Sequence, residues 1–400
     1  MNVMQKPIST SLPMAKPEEV GLSSAALSRL SSVMRREVEA KHVPGVTMLI
    51  SRRGKVAYRE NIGELRPGGP DMRADGIFRI YSMTKPIVSV ALMMLVEEGR
   101  LFLSDPVAKF IPAFAEMKIG VERDGRLELV PARRQITIQD LLRHTSGLTY
   151  AFLGGSAVQR LYGEAPLRSQ DITSAEHVAA LAKLPLMSQP GTQWDYSHST
   201  DVIGRVVEIL AGDTLGKVLK ARIFDPLEMV DTGFFAEPSK HERLAEPFPK
   251  DPDTGDEVKL IETRVQPKFE SGGGGLVSTI EDYSSFAHML YLGGSLGGAH
   301  LLGRKTVAYM ASDHLGPHVT IGSELLAPGH GFGLGFAVRR ESGMAPTPGT
   351  PGEFFWGGIA GTVFFIAPAE ELVALMLIQA PGQRDYYRQL FRNLVHAALI

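Results

Sequence analysis

The chain has 400 residues and no cysteine. That excludes disulfides, thiolate-ligated metals and a thiol nucleophile, and it leaves the redox compartment open. Excess charge is missing too: 42 Lys and Arg against 44 Asp and Glu leave a formal net charge of −2, without the basic footprint of a nucleic-acid or anionic-membrane binder. Nowhere do about 18 uncharged apolar residues run together, as a membrane helix requires. Met1 to Pro17 carries Lys6, Pro7, Pro13 and Lys16 where a secretory signal would have an apolar run. No internal repeat or low-complexity tract is present. These absences predict a cytoplasmic protein acting on a small-molecule substrate, with no nucleic-acid or membrane partner. A hydrophobic content of 44% supplies material for a large core.

Periodicity organises the chain. Behind Ser23 and Ser24, which suit N-caps, Leu27, Leu30, Met34 and Val38 recur on one helical face, predicting a helix to about Lys41. Val46 to Ile50 and Val56 to Tyr58 read as a hairpin across Arg52, Arg53 and Gly54. From Pro86 to Glu98 the chain is apolar almost all round, as in a helix sunk in a core, with Pro86 in its first turn. Residues 100–270 alternate helical patterns with Pro- and Gly-rich loops; Val202, Val206 and Leu210 mark one helix. Strand signals return at Gly331 to Val338, Thr362 to Ile366 and Leu372 to Ile378, before a closing helix with Leu390, Phe391, Leu394 and Val395. The pattern predicts an α/β (α+β) sheet domain from residues 20–85 and 270–400. A mainly helical domain, 86–269, is inserted, and an N-terminal extension covers 1–19. Chemistry is expected in the cleft between the two domains.

Three segments carry candidate chemistry. Ser82-Met83-Thr84-Lys85 puts a hydroxyl and an amine one turn apart at the mouth of the buried helix. The positive end of a helix stabilises an oxyanion and favours a neutral amine, two services that a weakly nucleophilic serine needs. Tyr196-Ser197-His198 offers a phenol able to shuttle protons beside Ser82 and Lys85. Trp356-Gly357-Gly358-Ile359 follows a strand; its glycines let substrate lie against the strand edge, and a backbone N–H there completes an oxyanion hole. Taken singly, each has a plain reading: an N-cap serine, an aromatic plug in a loop, a Gly-rich turn.

Taken in order, they resemble the S-x-x-K, Y-x-N and K-T-G series of class C β-lactamases and D-alanyl-D-alanine peptidases. Phe78 to Tyr81, Leu141 to Gly147, Gly272 to Gly275 and Gly331 to Gly335 agree with the same pattern, which spans residues 20–400. The resemblance implies a β-lactamase/transpeptidase-like fold, an antiparallel sheet flanked by helices with a mainly helical insertion. It implies Ser82 as nucleophile, Lys85 and Tyr196 as the base network, and the N–H groups of Ser82 and Ile359 as the oxyanion hole. Trp356, Gly357, Gly358 and His198 would then bind substrate. Two departures matter. Trp356 stands where the lactamases and peptidases keep a cation for the substrate carboxylate, which disfavours a carboxylate-bearing substrate, and His198 replaces the usual Asn. Trp-Gly-Gly at this place is similar to the family VIII carboxylesterases, which implies short-chain ester hydrolysis without metal or cofactor. The alternatives are a β-lactamase or D-alanyl-D-alanine peptidase-like amidase and a non-catalytic penicillin-binding or scaffold module.

Other motifs compete less well. Gly293-Gly294-Ser295-Leu296-Gly297 matches a G-x-S-x-G elbow, but it follows the helical run Glu281 to Leu292, whereas an elbow links a strand to a helix. Gly316 and Pro317 keep His314 and His318 off a common helix face, so they make no metal pair. His144 is expected to be structural.

Overall fold

The computed structural model describes residues 12–400, so the expected N-terminal extension lies outside the described residues as far as residue 11. Helix α1 spans Ser24–Glu39; Ser23 caps it by accepting the Ala26 N–H, and Leu27, Leu30 and Met34 are buried along one face. Strands β1 (Gly45–Arg52) and β2 (Lys55–Gly63) form the expected hairpin. Its two turn residues, Arg53 and Gly54, both have positive φ (52° and 70°), the turn whose twist matches paired strands. Helix α2 (Thr84–Glu97) begins two residues before the expected Pro86 and is buried from Thr84 to Met93. Pro86 therefore sits in the first turn, where its missing N–H costs nothing.

The middle of the chain contributes helices at Ile138–Leu142, Ala157–Glu164, Ser174–Leu181 and Leu215–Leu219, and α3 at Ser199–Ala211. It also holds a hairpin, Lys118–Arg123 with Arg126–Pro131, which the helical reading overlooked although Ile119 and Val121 on one side and Leu127 and Leu129 on the other alternate about the turn residues Asp124 and Gly125. Helix α4 follows at Ile280–Tyr291. The single strand expected at Gly331 to Val338 is instead two, β3 (His330–Phe332) and β4 (Ala337–Arg339). Gly335 takes φ +107°, open only to glycine, and the Gly333 N–H turns back to the Phe336 carbonyl, so the run folds over on itself. Strands β5 (Phe354–Gly357), β6 (Val363–Ala367) and β7 (Leu372–Ile378) and helix α5 (Arg384–His396) complete the chain.

The seven strands form one antiparallel sheet in the order β3-β4-β5-β6-β7-β1-β2. β1 and β7 pair across the middle from opposite ends of the chain, so the fold closes only when both termini are present. α1 and α5 cover one face through Leu27, Leu30, Met34, Phe391 and Val395. α2 and α4 cover the other, in a core that runs on without a break into the middle helices. Each fully buried Leu or Phe contributes about 1.5–3 kcal/mol, and α2 is packed on all sides by such residues. Among the described residues no helix is long and apolar enough to cross a membrane.

Candidate active site

Ser82 lies on a 3-10 turn, Tyr81–Met83, that leads straight into α2. Tyr81, just before it, has φ +44°, a left-handed conformation that costs a side-chain-bearing residue about 1–3 kcal/mol and persists only where the surroundings impose it. Here they do. The Ile80 N–H donates to the Leu276 carbonyl (3.1 Å), the Leu276 N–H donates to Thr84 Oγ1 (3.2 Å), and the Tyr283 hydroxyl donates to the Met83 carbonyl (2.9 Å). The Ile261 N–H reaches the Tyr81 hydroxyl at 2.8 Å. The turn is thus gripped from several elements and presents Ser82 to a cleft of about 760 Å³ with a mainly apolar lining that includes Phe152, Leu167, Phe269, Phe355 and Trp356.

Lys85 projects from the first turn of α2 and is fully buried, a position open to an ammonium group only with polar partners. Its Nζ donates to the Gly273 carbonyl (2.7 Å) and the Tyr150 hydroxyl (3.2 Å) and lies 3.5 Å from Ser82 Oγ. Nζ also sits 4.4 Å from the centre of the Tyr196 ring, within range of a cation–π contact. Tyr196 therefore does reach the pocket, although the phenol oxygen bonded to Lys85 is that of Tyr150. The Tyr196 hydroxyl instead accepts the indole N–H of Trp356 at 3.2 Å. Burial, with Asp201 and Tyr196 close by, pushes the Tyr150 phenol well above its ordinary range, so it is a neutral O–H.

Trp356 stands on β5 with Phe332 edge-on to its ring at 5.3 Å. A Cβ at Gly358 would collide with the Ile80 carbonyl, so only glycine lets the β5–β6 turn approach the serine segment. The Gly358 N–H closes that turn on the Thr362 carbonyl, while the Ile359 N–H donates to no oxygen among the described residues. Ile359 and Ser82 line the same cleft. The absence of a cation at Trp356 does not leave the region uncharged. Arg388, on α5, reaches the Gly358 carbonyl and faces Asp385, and burial lowers its guanidinium to about 10.

Two residues that sequence reasoning did not single out tie the site together. One is Tyr150; the other is Asp201, in the first turn of α3. Asp201 Oδ1 accepts Ser271 Oγ–H (2.6 Å) and the Gly273 N–H (2.9 Å), and Oδ2 lies 3.0 Å from His198 Nδ1. Burial raises this carboxyl, but the bond from His198 and the imidazoles of His177 and His198 outweigh burial and hold it well below the carboxylate range. Asp201 therefore fixes the Gly273 peptide, whose carbonyl holds Lys85. The signal in the sequence was the acid five residues after Tyr196 together with four consecutive glycines, of which Gly273 admits no Cβ beside the Asp201 carboxylate. His198 and Asp201 thus meet in the lining of the cleft. His144 packs under Tyr196 at 5.0 Å between ring centres, with Nδ1 3.1 Å from Ser197 Oγ, and burial and Lys85 keep it neutral.

The sequence profile of the beta-lactamase family matches residues 30–399. Esterase EstB of Burkholderia gladioli is 32% identical over 381 residues, 90% of this chain and 92% of its own. Lovastatin esterase of Penicillium rubens is 29% identical over 84% of this chain and 86% of its own. Among solved structures, EstCE1, described as a hydrolase with promiscuous acyltransferase activity, superposes with a TM-score of 0.78 at 28% identity, covering 93% of this chain and 98% of its own.

Proposed function

This chain belongs to the beta-lactamase family and is a serine hydrolase, and we propose that it is a carboxylesterase that cleaves short-chain esters through an acyl-enzyme on Ser82. The observation that carries this reading is Lys85 Nζ at 3.5 Å from Ser82 Oγ, on the floor of an apolar cleft. As the Ser82 oxygen attacks the ester carbonyl, its proton passes to Lys85 as the neutral amine, or to Tyr196 as the phenolate. The tetrahedral oxyanion lies between the N–H groups of Ser82 and Ile359. The C–O bond to the alcohol then breaks, and the alcohol leaves with the proton from the Lys85 and Tyr196 network. Water repeats the sequence on the acyl-enzyme and releases the acid. Trp356, Gly357, Gly358 and His198 shape the walls that receive the two halves of the ester.

Burial of Lys85 without a carboxylate partner supports this assignment. Its contacts are a carbonyl and hydroxyls, so nothing locks the amine as a charged ion pair. The apolar lining and the likeness to the esterase EstB favour esters over the amide alternative, and the promiscuous acyltransferase activity of EstCE1 favours a second acceptor, in which an alcohol replaces water in the last step. The test compares p-nitrophenyl butyrate with nitrocefin. The ester is expected to be turned over at least about 10²-fold faster, with active-site labelling by a fluorophosphonate in wild type and none in Ser82→Ala. Preferential nitrocefin turnover would favour the amidase, and an unlabelled, inert wild type the binding module.

A further inference from the structure

At the wall of the cleft, His198 and Asp201, which line it, converge with the buried His177, and the ester chemistry does not use the three as a group. His177, on the helix Ser174–Leu181, is completely buried, and neither of its ring nitrogens has a hydrogen-bond partner among the described residues. Its Nε2 lies 4.0 Å from Asp201 Oδ2, the oxygen that is 3.0 Å from His198 Nδ1. One nitrogen from each imidazole and this carboxylate oxygen all fall within 4.8 Å of one another. Phe269 stacks on His177 at 4.1 Å and fixes the plane of its ring.

A buried imidazole whose ring nitrogens are both unbonded is costly to keep, and the lone pair of the unprotonated nitrogen is free to take an electrophile. Two nitrogens and one carboxylate oxygen form the donor set of zinc and its first-row neighbours. Calcium and magnesium demand six or more oxygens or several waters. Bond lengths of about 2.0–2.2 Å around a tetrahedral ion place its ligand atoms roughly 3.3 Å apart. The separations of 3.0 and 4.0 Å bracket that value, and the third lies within 4.8 Å. The side chain of His198 is 12% exposed and lines the cleft, so the fourth position opens toward it.

We propose that His177, His198 and Asp201 form a site for one zinc-type divalent cation that enters from the cleft, and that its occupation inhibits ester turnover. On binding, the ion takes the place of the hydrogen between His198 Nδ1 and Asp201 Oδ2, and that proton moves to Nε2. Asp201 then shares its charge between the ion and the Gly273 N–H, which loosens the carbonyl that holds Lys85. The His198 ring, 4.2 Å from Tyr150, is pulled away from the wall of the cleft. The binding claim stands by itself, whereas the inhibition claim rests on the esterase reading.

The experiment titrates zinc chloride into chelator-treated full-length protein by calorimetry and follows p-nitrophenyl butyrate turnover in parallel. Wild type is expected to bind one zinc per chain at micromolar concentration or tighter, and to lose turnover over the same range. His177→Gln, with His177→Asn as the second variant should the first misfold, is expected to bind about 100-fold more weakly. Without zinc either variant keeps ester turnover within about threefold of wild type, since His177 touches neither Ser82 nor Lys85. Wild type without a one-to-one zinc isotherm, or variants that bind as wild type does, would overturn the site. Stoichiometric binding lost in both variants, with wild-type turnover indifferent to zinc, would overturn the inhibition alone. A protein without ester turnover would sink the esterase reading and leave the calorimetric result to decide the site.

Discussion

Ser295 and Ser82 each face a base, and on the proposed reading the one closer to its base is the poorer nucleophile. Ser295 Oγ lies 2.7 Å from His300 Nδ1, while Ser82 Oγ lies 3.5 Å from Lys85 Nζ. The Ser295 pair bridges a two-residue hairpin, Ser295–Leu296 with Ala299–His300, whose glycines Gly293, Gly294, Gly297 and Gly298 all take positive φ. Those glycines serve the turn; they do not make an elbow between a strand and a helix. Ser295 does not line the cleft, and His300 is exposed. Ser82 has an apolar cleft over it, a helix N-terminus behind it and Ile359 in the lining of the same cleft. Distance to a base is a weak criterion; shelter from water and preorganised donors decide which hydroxyl can react.

The largest effect expected is at Ser82. Ser82→Ala should lower p-nitrophenyl butyrate turnover by roughly 10³-fold or more, and the contrast between the two serines collapses if most of the activity survives. A second difference concerns histidines. His300 is exposed on the hairpin, whereas His288, one element earlier on α4, is buried and placed between Ser51 Oγ (2.5 Å) and the Ser284 carbonyl (2.8 Å). Burial lowers His288 from 6.5 to about 4. Neutral in the fold, it takes up a proton on unfolding anywhere below pH 6.5. Its share of stability is therefore complete above that pH and is lost as pH falls through 4, amounting to about 3 kcal/mol. Urea unfolding between pH 7 and pH 4 should show this slope flattened in His288→Gln; an unchanged slope would place the acid sensitivity elsewhere.

Lys85→Ala and Tyr196→Phe should each cost roughly 10²-fold in turnover. Tyr150→Phe removes one hydrogen bond from Nζ but leaves the Gly273 carbonyl in place, so a loss of roughly tenfold is expected. If Tyr150→Phe is the more damaging of the two tyrosine changes, the phenol in contact with Lys85 is the proton carrier, and Tyr196 serves to seat Trp356. The smallest effect belongs to Ser295→Ala, for which turnover within roughly twofold of wild type is expected. Inactivation by that change would reverse the comparison.

Local patterns were legible because their causes are local. The Ser23 cap and the buried face of Leu27, Leu30 and Met34 follow from helical spacing. The pairing of Ser82 with Lys85 follows from one turn of chain, and β7 announced itself as an unbroken apolar run, buried at every position. Order in the sequence was also enough to bring Trp356 and Tyr196 into one pocket with Lys85. The split between β3 and β4 was not legible, since it depends on how Gly333 and Gly335 are used, and glycine is equally common in strands that bend and in loops. The hairpin at 118–131 was legible in the alternation of Ile119, Val121, Leu127 and Leu129 about Asp124-Gly125, and the helical reading of the middle of the chain passed over it.

What the sequence determined by itself is the frame: an antiparallel sheet made by both ends of the chain, a buried helix, and a serine and lysine one turn apart at its mouth. What the tertiary structure alone decided is the company Lys85 keeps. Its partners Tyr150 and Gly273 lie 65 and 188 residues away, and Asp201 acts on it only through the Gly273 peptide. The physical reason is that a buried amine must find acceptors wherever the packed chain supplies them, and no local period records which distant carbonyl or phenol that is.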